Sequence, residues 1–214
     1  VGMFPVYTPY ELPHAAGMLP VGVLGAGGKI EIDHADSRIQ SFVCSIARST
    51  LELGLRDIVK DFDALWFTSI CDVARNLSGI WQSNFPHQQV AYIHFPQNMT
   101  SPAAAIHYRA ELKKLLGNLE SLTGKKVSDA DLVASINTYN RNRELCSQLY
   151  AVKRTTPWLL STYEAYVLLR IGTLIPVEEH TRILEEVIPQ IGLRARQPRD
   201  YVRVMIEGSF CEQP

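Results

Sequence analysis

Four cysteines, Cys44, Cys71, Cys146 and Cys211, are the residues of this sequence best suited to hold a metal or act as nucleophiles. They are widely spaced and form no CxxC pair, so a zinc hairpin, which bunches its ligands, does not fit. Cys44 and Cys71 each stand just before a predicted helix. A helix N-terminus places positive partial charge beside a thiolate or a bound anionic group. By spacing alone the default for such a pair is buried thiols packed as small hydrophobes. Cys146 lies on the apolar stripe of a predicted helix and reads as packing. The histidines His34, His94 and His107 show no ligand spacing with one another. The segment Gly25-Ala26-Gly27-Gly28 lacks both the GxGxxG spacing and a GK[ST] ending, so it reads as a turn requiring positive φ rather than a phosphate loop.

The elements that must position these groups follow from local pattern. Glu11 to Ala16 opens a short helix with Pro13 in its first turn. MLPVGVLGAGG is a short strand running into the glycine turn. Ser41 to Leu55 predicts a helix that begins after Cys44, with Ile46, Leu51 and Leu55 on its apolar side. Phe62 to Thr68 is a strand that runs into Cys71, and a helix follows through Arg75 and Leu77 to Trp81. Val90 to Phe95 is a further strand, stopped by Pro96. Helices are predicted over Ala103–Leu119, from Ser128 toward Val152, over Thr162–Ile171 and over Val177–Ile188. Ser128 with Asp131 forms a capping-box pattern. The core stripe of the Ser128 helix is expected at Leu132, Ile136, Tyr139 and Cys146, and Tyr139 and Tyr150 are expected in the core. Tyr201 to Ile206 reads as a last strand and Glu207 to Pro214 as a loop.

The fold class is therefore α/β: a Rossmann-like parallel sheet domain with a helical insertion and a truncated second α/β domain. The expected organisation is a sheet domain over 1–100, a helical segment over 101–200 and the start of the second domain over 201–214. The chain opens in mid-pattern, as at a boundary within a longer protein. Loops at the carboxyl ends of strands form the usual ligand crevice of such sheets, and Cys71 follows a strand.

Bulk properties narrow the function classes. A chain of 214 residues with 46% hydrophobic residues buries a real core, and its net charge of −1 gives no electrostatic case for nucleic acid or an anionic membrane. No apolar run reaches the roughly 18 residues of a spanning helix. The N-terminus lacks a basic leader, and reduced thiols in the cytoplasm are the expectation.

The stretches YTPYELPHAAGMLPVGV, SFVCSIARSTLELGL, SICDVARNLSGIW, FPQN, PVEEH and GSFCEQP, taken in order, resemble the 2-hydroxyacyl-CoA dehydratase/benzoyl-CoA reductase family. Within it they are most similar to C-type subunits of the ATP-dependent reductases. The resemblance covers nearly the whole chain. It implies an iron–sulfur cluster, a [4Fe-4S] or related double cubane, held by cysteines in an anaerobic heteromeric enzyme. The implied partners are a homologous cluster-bearing subunit, ATPase electron-activator subunits carrying ATP, ferredoxin as electron donor and an aromatic acyl-CoA substrate. By the resemblance, Cys44 and Cys71 match the first two cluster ligands, the next ligand lies beyond Pro214, and Cys211 is a weaker cluster-proximal candidate.

The implied chemistry sets roles for further residues. Dearomatising a benzoyl ring needs electrons of very negative potential, which thiolate-bound clusters supply, and the resulting radical anion needs a proton. Glu11 and His14 are the candidates for general acid; the alternative is a helix-capping carboxylate and a packed imidazole. Arg48 and Arg75, one turn after each cysteine, either assist the cluster or thioester oxygen or form salt bridges. Asn76 and Trp81 read as supporting or packing residues and His180 as structural. Two other readings share these residues: a 2-hydroxyacyl-CoA dehydratase subunit, which eliminates water through a ketyl radical, and a non-catalytic scaffold subunit with structural cysteines.

Overall fold

A computed structural model describes residues 1–204. Four parallel strands form one sheet: β1 (Gly2–Phe4), β2 (Val21–Gly22), β3 (Ala64–Thr68) and β4 (Gln89–Ile93), in the order β2-β1-β3-β4. The first compact unit, Val1–Val127, holds this sheet with α1 (Glu11–Ala15), α2 (Ser45–Leu55), α3 (Asp72–Asn84) and α4 (Pro102–Thr123). The second, described over residues 128–204, is helical: α5 (Asp129–Thr155), α6 (Thr162–Ile171) and α7 (Val177–Gly192). The parallel α/β class expected from the sequence is the one observed. Compactness divides the chain after Val127, so α4 belongs with the sheet and not with the later helices.

β3 is buried at every position, ALWFT, which fits a strand covered on both faces. Leu65 and Phe67 join Ala47 and Leu51 of α2 and Ala74, Leu77 and Trp81 of α3 in one core. On the other face α1 packs against α4. β1 is only three residues long, too short to show a period in sequence, yet it is central because it pairs with both β2 and β3.

The helices form where their caps are written. Ser101 caps α4 with Pro102 in the first turn, and Gly124 at φ 67° ends it. Ser128–Asp131 and Ser161–Glu164 are complete capping boxes for α5 and α6.

Several expectations need correction. The buried face of α5 runs through Ser135, Asn142, Leu145 and Leu149, while Ile136 and Tyr150 are exposed. α7 continues through Pro189 to Gly192 instead of stopping at Ile188, because one missing amide does not outweigh the buried Leu184 and Ile191. Residues 201–204 are not a strand, since among the described residues no neighbouring strand completes a ladder there; the rest of that predicted strand, the final loop and Cys211 lie outside the described residues.

Within the second unit the imidazole of His180, buried at 2% exposure, ties three helices together. Its Nε2–H donates to the Leu168 carbonyl at 2.8 Å, and its Nδ1 accepts from the Asn142 amide at 2.9 Å. Burial pushes its pKa down, against the opposing pull of the Leu168 carbonyl. The structural role expected for His180 is what its surroundings provide.

Candidate functional site

Strand order locates the crevice. From β1 the chain moves outward to β2, then returns across β1 to β3 and proceeds to β4. The order therefore reverses between β1 and β3, and in open α/β sheets ligands bind beyond the carboxyl ends of the strands at such a reversal. The Thr68 hydroxyl at the end of β3 donates to the Val6 carbonyl at 2.9 Å, which holds the two strand ends together.

Both sequence-predicted cysteines are helix N-caps on this edge. Cys71 caps α3, directly after β3, and its Sγ accepts from the Ala74 amide at 3.4 Å. Cys44 caps α2. Two contacts orient α2. At its start, Ile46 and Ser49 meet Gly25, three residues past the end of β2, and the Ser49 hydroxyl accepts from the Ala26 amide at 3.2 Å. At its end, Gly54 lies so close to Trp81 and Phe85 that a Cβ there would stand 2.6 and 2.7 Å from their rings. The carboxyl ends of α2 and α3 are thus neighbours, and each helix starts at the carboxyl edge of the sheet, α2 beside the turn after β2 and α3 directly after β3. Both thiols are free and exposed. The glycine segment is the turn expected, with Gly25, Gly27 and Gly28 all at positive φ.

A buried carboxylate anchors the loop before Cys44. Glu52 of α2 has a side chain with 0% exposure. Its oxygens accept from Arg56 Nε at 2.7 Å, His34 Nδ1 at 2.8 Å, the His34 amide at 2.9 Å and the Ala35 amide at 2.8 Å. Burial alone would raise this carboxyl; the hydrogen bonds outweigh it and hold the pKa at about 2. Sequence reading missed Glu52. A glutamate inside an apolar helix stripe was the available signal.

The arginines one turn into each helix are engaged by carboxylates. Arg48 pairs with Asp36 at 2.6 Å and Arg75 with Asp72 at 2.9 Å. Trp81 is core, its Nε1 donating to Gln88 at 2.7 Å, and Asn76 is exposed. Glu11 and His14 lie on α1, whose N-terminus follows β1 on the same edge, and each has an interaction partner. Glu11 faces α4: burial raises the Tyr108 phenol, and the Glu11 charge adds to the rise.

Next to the turn that leads into Cys71 the edge carries an open cavity of about 460 Å³, between the end of β4 and the start of α4. Ser69, His94, Phe95, Asn98, Ser101 and His107 are among its lining residues. Ser69, two residues before Cys71, accepts from the Phe95 amide at 2.9 Å, so the turn that carries the cysteine and the cavity wall are one construction. Tyr92 links them further. Burial pushes its phenol up; Arg75 pulls against this, while Cys71 and Asp72 add to it, so the ring stands in the field of the first turn of α3. Its ring meets that of His94 edge-on, centroids 4.7 Å apart at 87°. Sequence reading passed over Tyr92 and set His94 aside for lack of ligand spacing, because the strand VAYIHF shows apolar character and nothing of what its end adjoins.

Among the described residues no group of three or more His, Cys, Asp or Glu side chains is placed to hold a metal. Cys44 and Cys71 are two unpaired soft donors in positively polarised positions, which fits part of a thiolate set for an iron–sulfur group and not a complete one. No helix among the described residues is long and apolar enough to cross a membrane.

Comparison with known proteins adds to this picture. Residues 5–214 match the family model described as 2-hydroxyglutaryl-CoA dehydratase, D-component. The chain is 44% identical over its full length to the C-type benzoyl-CoA reductase subunit of Thauera aromatica and 32% identical, over 99% of its length, to the beta subunit of lactoyl-CoA dehydratase of Anaerotignum propionicum. It is 26% identical over its full length to the beta subunit of (R)-2-hydroxyglutaryl-CoA dehydratase of Acidaminococcus fermentans. The chain spans about half the length of these relatives, 55–56%.

Proposed function

Because this chain belongs to the 2-hydroxyglutaryl-CoA dehydratase D-component family, we propose that it is part of an ATP-dependent aromatic acyl-CoA reductase subunit. In this reading Cys44 and Cys71 supply two ligands of an iron–sulfur cluster used to dearomatise benzoyl-CoA to a cyclic dienoyl-CoA. The observation that carries it is the 44% identity across the whole chain to a benzoyl-CoA reductase subunit, against 32% for the lactoyl-CoA dehydratase subunit. A homologous cluster-bearing subunit, an ATPase activator and ferredoxin complete the proposed assembly.

The chain's own residues would act as follows. Cys44 and Cys71 present thiolates from helix N-termini, whose partial positive charge offsets the negative charge gathered there. Bound at that point, a cluster supplies one low-potential electron at a time. The Glu52 anchor keeps the loop before Cys44 in place, and the cavity beside Ser69 offers room for the reacting end of an acyl thioester. Arg75 and the first turn of α3 set the field that charge developing on such a substrate would meet.

The test is anaerobic purification of the full-length protein with its partners, with and without Cys44→Ala or Cys71→Ala. Wild-type complex should contain iron and sulfide and reduce benzoyl-CoA, and either variant should lose the cluster. A metal-free complex, or variants that keep full iron and activity, would establish the scaffold reading instead. The second reading, a 2-hydroxyacyl-CoA dehydratase subunit, has the dehydratase relatives in its favour; dehydration of a 2-hydroxyacyl-CoA with benzoyl-CoA left untouched would establish it.

A further inference from the structure

The reductase reading leaves open where the proton comes from, and the edge of the sheet contains a better-placed donor than Glu11 or His14. We infer that His94 is the catalytic proton donor, acting from the wall of the cavity between β4 and α4 on an aromatic acyl thioester bound there. This inference rests on the reading above and names a residue that the family resemblance did not supply.

Three observations carry it. His94 lines the cavity and is exposed to it, so a bound thioester can reach its imidazole. The edge-on contact with Tyr92 restricts the tilt of the ring. The Cys71 turn is tied to the same strand ends, since the Ser69 amide donates to the Ile93 carbonyl, next to His94, at 2.9 Å. Ser69 fixes the cavity wall to the turn that bears Cys71 through the Phe95 amide. Glu11 and His14 sit on α1 instead, and neither lines this cavity.

The step balances as follows. One electron from a reduced iron–sulfur donor, which is oxidised by one, enters the ring conjugated to the thioester and gives a radical anion. The N–H bond of the His94 imidazolium breaks, a C–H bond forms on the ring, and a neutral radical and a neutral imidazole remain. A second electron and a second proton complete the diene, and solvent reprotonates the imidazole. Imidazole is the side chain able to give and regain a proton near neutral pH. The titratable groups that face it are Tyr92, near the end of β4, and His107 across the cavity on α4; Cys71, Asp72 and Arg75 act on the Tyr92 phenol.

The experiment uses the anaerobic complex of the full-length protein and benzoyl-CoA as probe. Diethyl pyrocarbonate should modify His94, and bound benzoyl-CoA should protect it, as read by peptide mass. Modification that is equal with and without benzoyl-CoA overturns the proposal. His94→Gln should keep its iron content and benzoyl-CoA affinity while turnover falls about 100-fold, and free imidazole should restore part of the rate to His94→Ala. His94→Gln turnover within threefold of wild type, or His107→Gln losing the rate in its place, also overturns it. A wild-type complex that lacks iron or leaves benzoyl-CoA unchanged fails at the earlier reading and takes this one with it.

Discussion

Replacing Glu52 with Gln should loosen the segment that presents Cys44, and the size of the effect follows from its contacts. The carboxylate is fully buried and accepts four hydrogen bonds, two of them from the backbone amides of His34 and Ala35. A drop from the ordinary 4.5 to about 2 corresponds to at most about 3 kcal/mol, at 1.36 kcal/mol for each tenfold change in proton affinity. The partner side chains are in part exposed, His34 at 61% and Arg56 at 32%, so solvent screens some of this and about 2 kcal/mol remains. Glutamine also turns an NH₂ group toward two of the four donors, and one buried amide left without an acceptor costs about 1–3 kcal/mol. The two contributions overlap, because the hydrogen bonds that glutamine disturbs are the ones that hold the pKa down, and the expected loss is about 2–4 kcal/mol.

Hydrogen exchange isolates this effect to the first unit. The slowest α2 amides, around Leu51 and Gly54, should exchange at least about 30-fold faster in Glu52→Gln. The folded-state pKa lies below the unfolded one, so the stabilisation is complete above pH 4.5 and is lost as pH falls from 4.5 toward 2. Wild-type α2 protection, corrected for intrinsic exchange, should decline through that window, and the variant should respond less. A variant within threefold of wild type at pH 7, or wild-type protection that is flat down to pH 3, would refute the assignment of Glu52 as the anchor.

Two close approaches give further predictions. Gly54→Ala places a methyl against Trp81 and Phe85; overpacking of about 1–3 kcal/mol outweighs a helix-propensity gain of at most about 1, and thermal unfolding of the first unit should shift down. Gly172→Ala drives a methyl into the His180 ring, which Leu168 and Asn142 hold in place, so α5–α7 should lose about 2 kcal/mol while α2 amide protection is unchanged. Wild-type stability in either case would show that the interior there has room the packing does not indicate.

Much was legible in the sequence because it is local. α2 and α3 begin where Cys44 and Cys71 were read as preceding them, and Ser128–Asp131 is a capping box in both sequence and structure, since caps and periodic apolar positions depend on neighbours a few residues away. Even the placement of both cysteines at helix starts needed no tertiary information. The ordered motifs were also enough to indicate the family, which the match over residues 5–214 establishes.

What the tertiary structure decided are the relations between segments distant along the chain. β1, three residues of no evident period, is a strand because β2 and β3 flank it, and its position creates the reversal of strand order that makes the crevice. The buried face of α5 is set by what α7 presents to it, which moved Ile136 from expected core to surface. The contact between the carboxyl ends of α2 and α3 depends on Gly54 admitting two aromatic rings, and the starts of both helices, with Cys44 and Cys71, fall on the carboxyl edge of the sheet. His94 acquired a cavity and an aromatic neighbour only when β4 and α4 were folded against the Ser69 turn. Such contacts are long-range packing events, and no spacing along the chain encodes them.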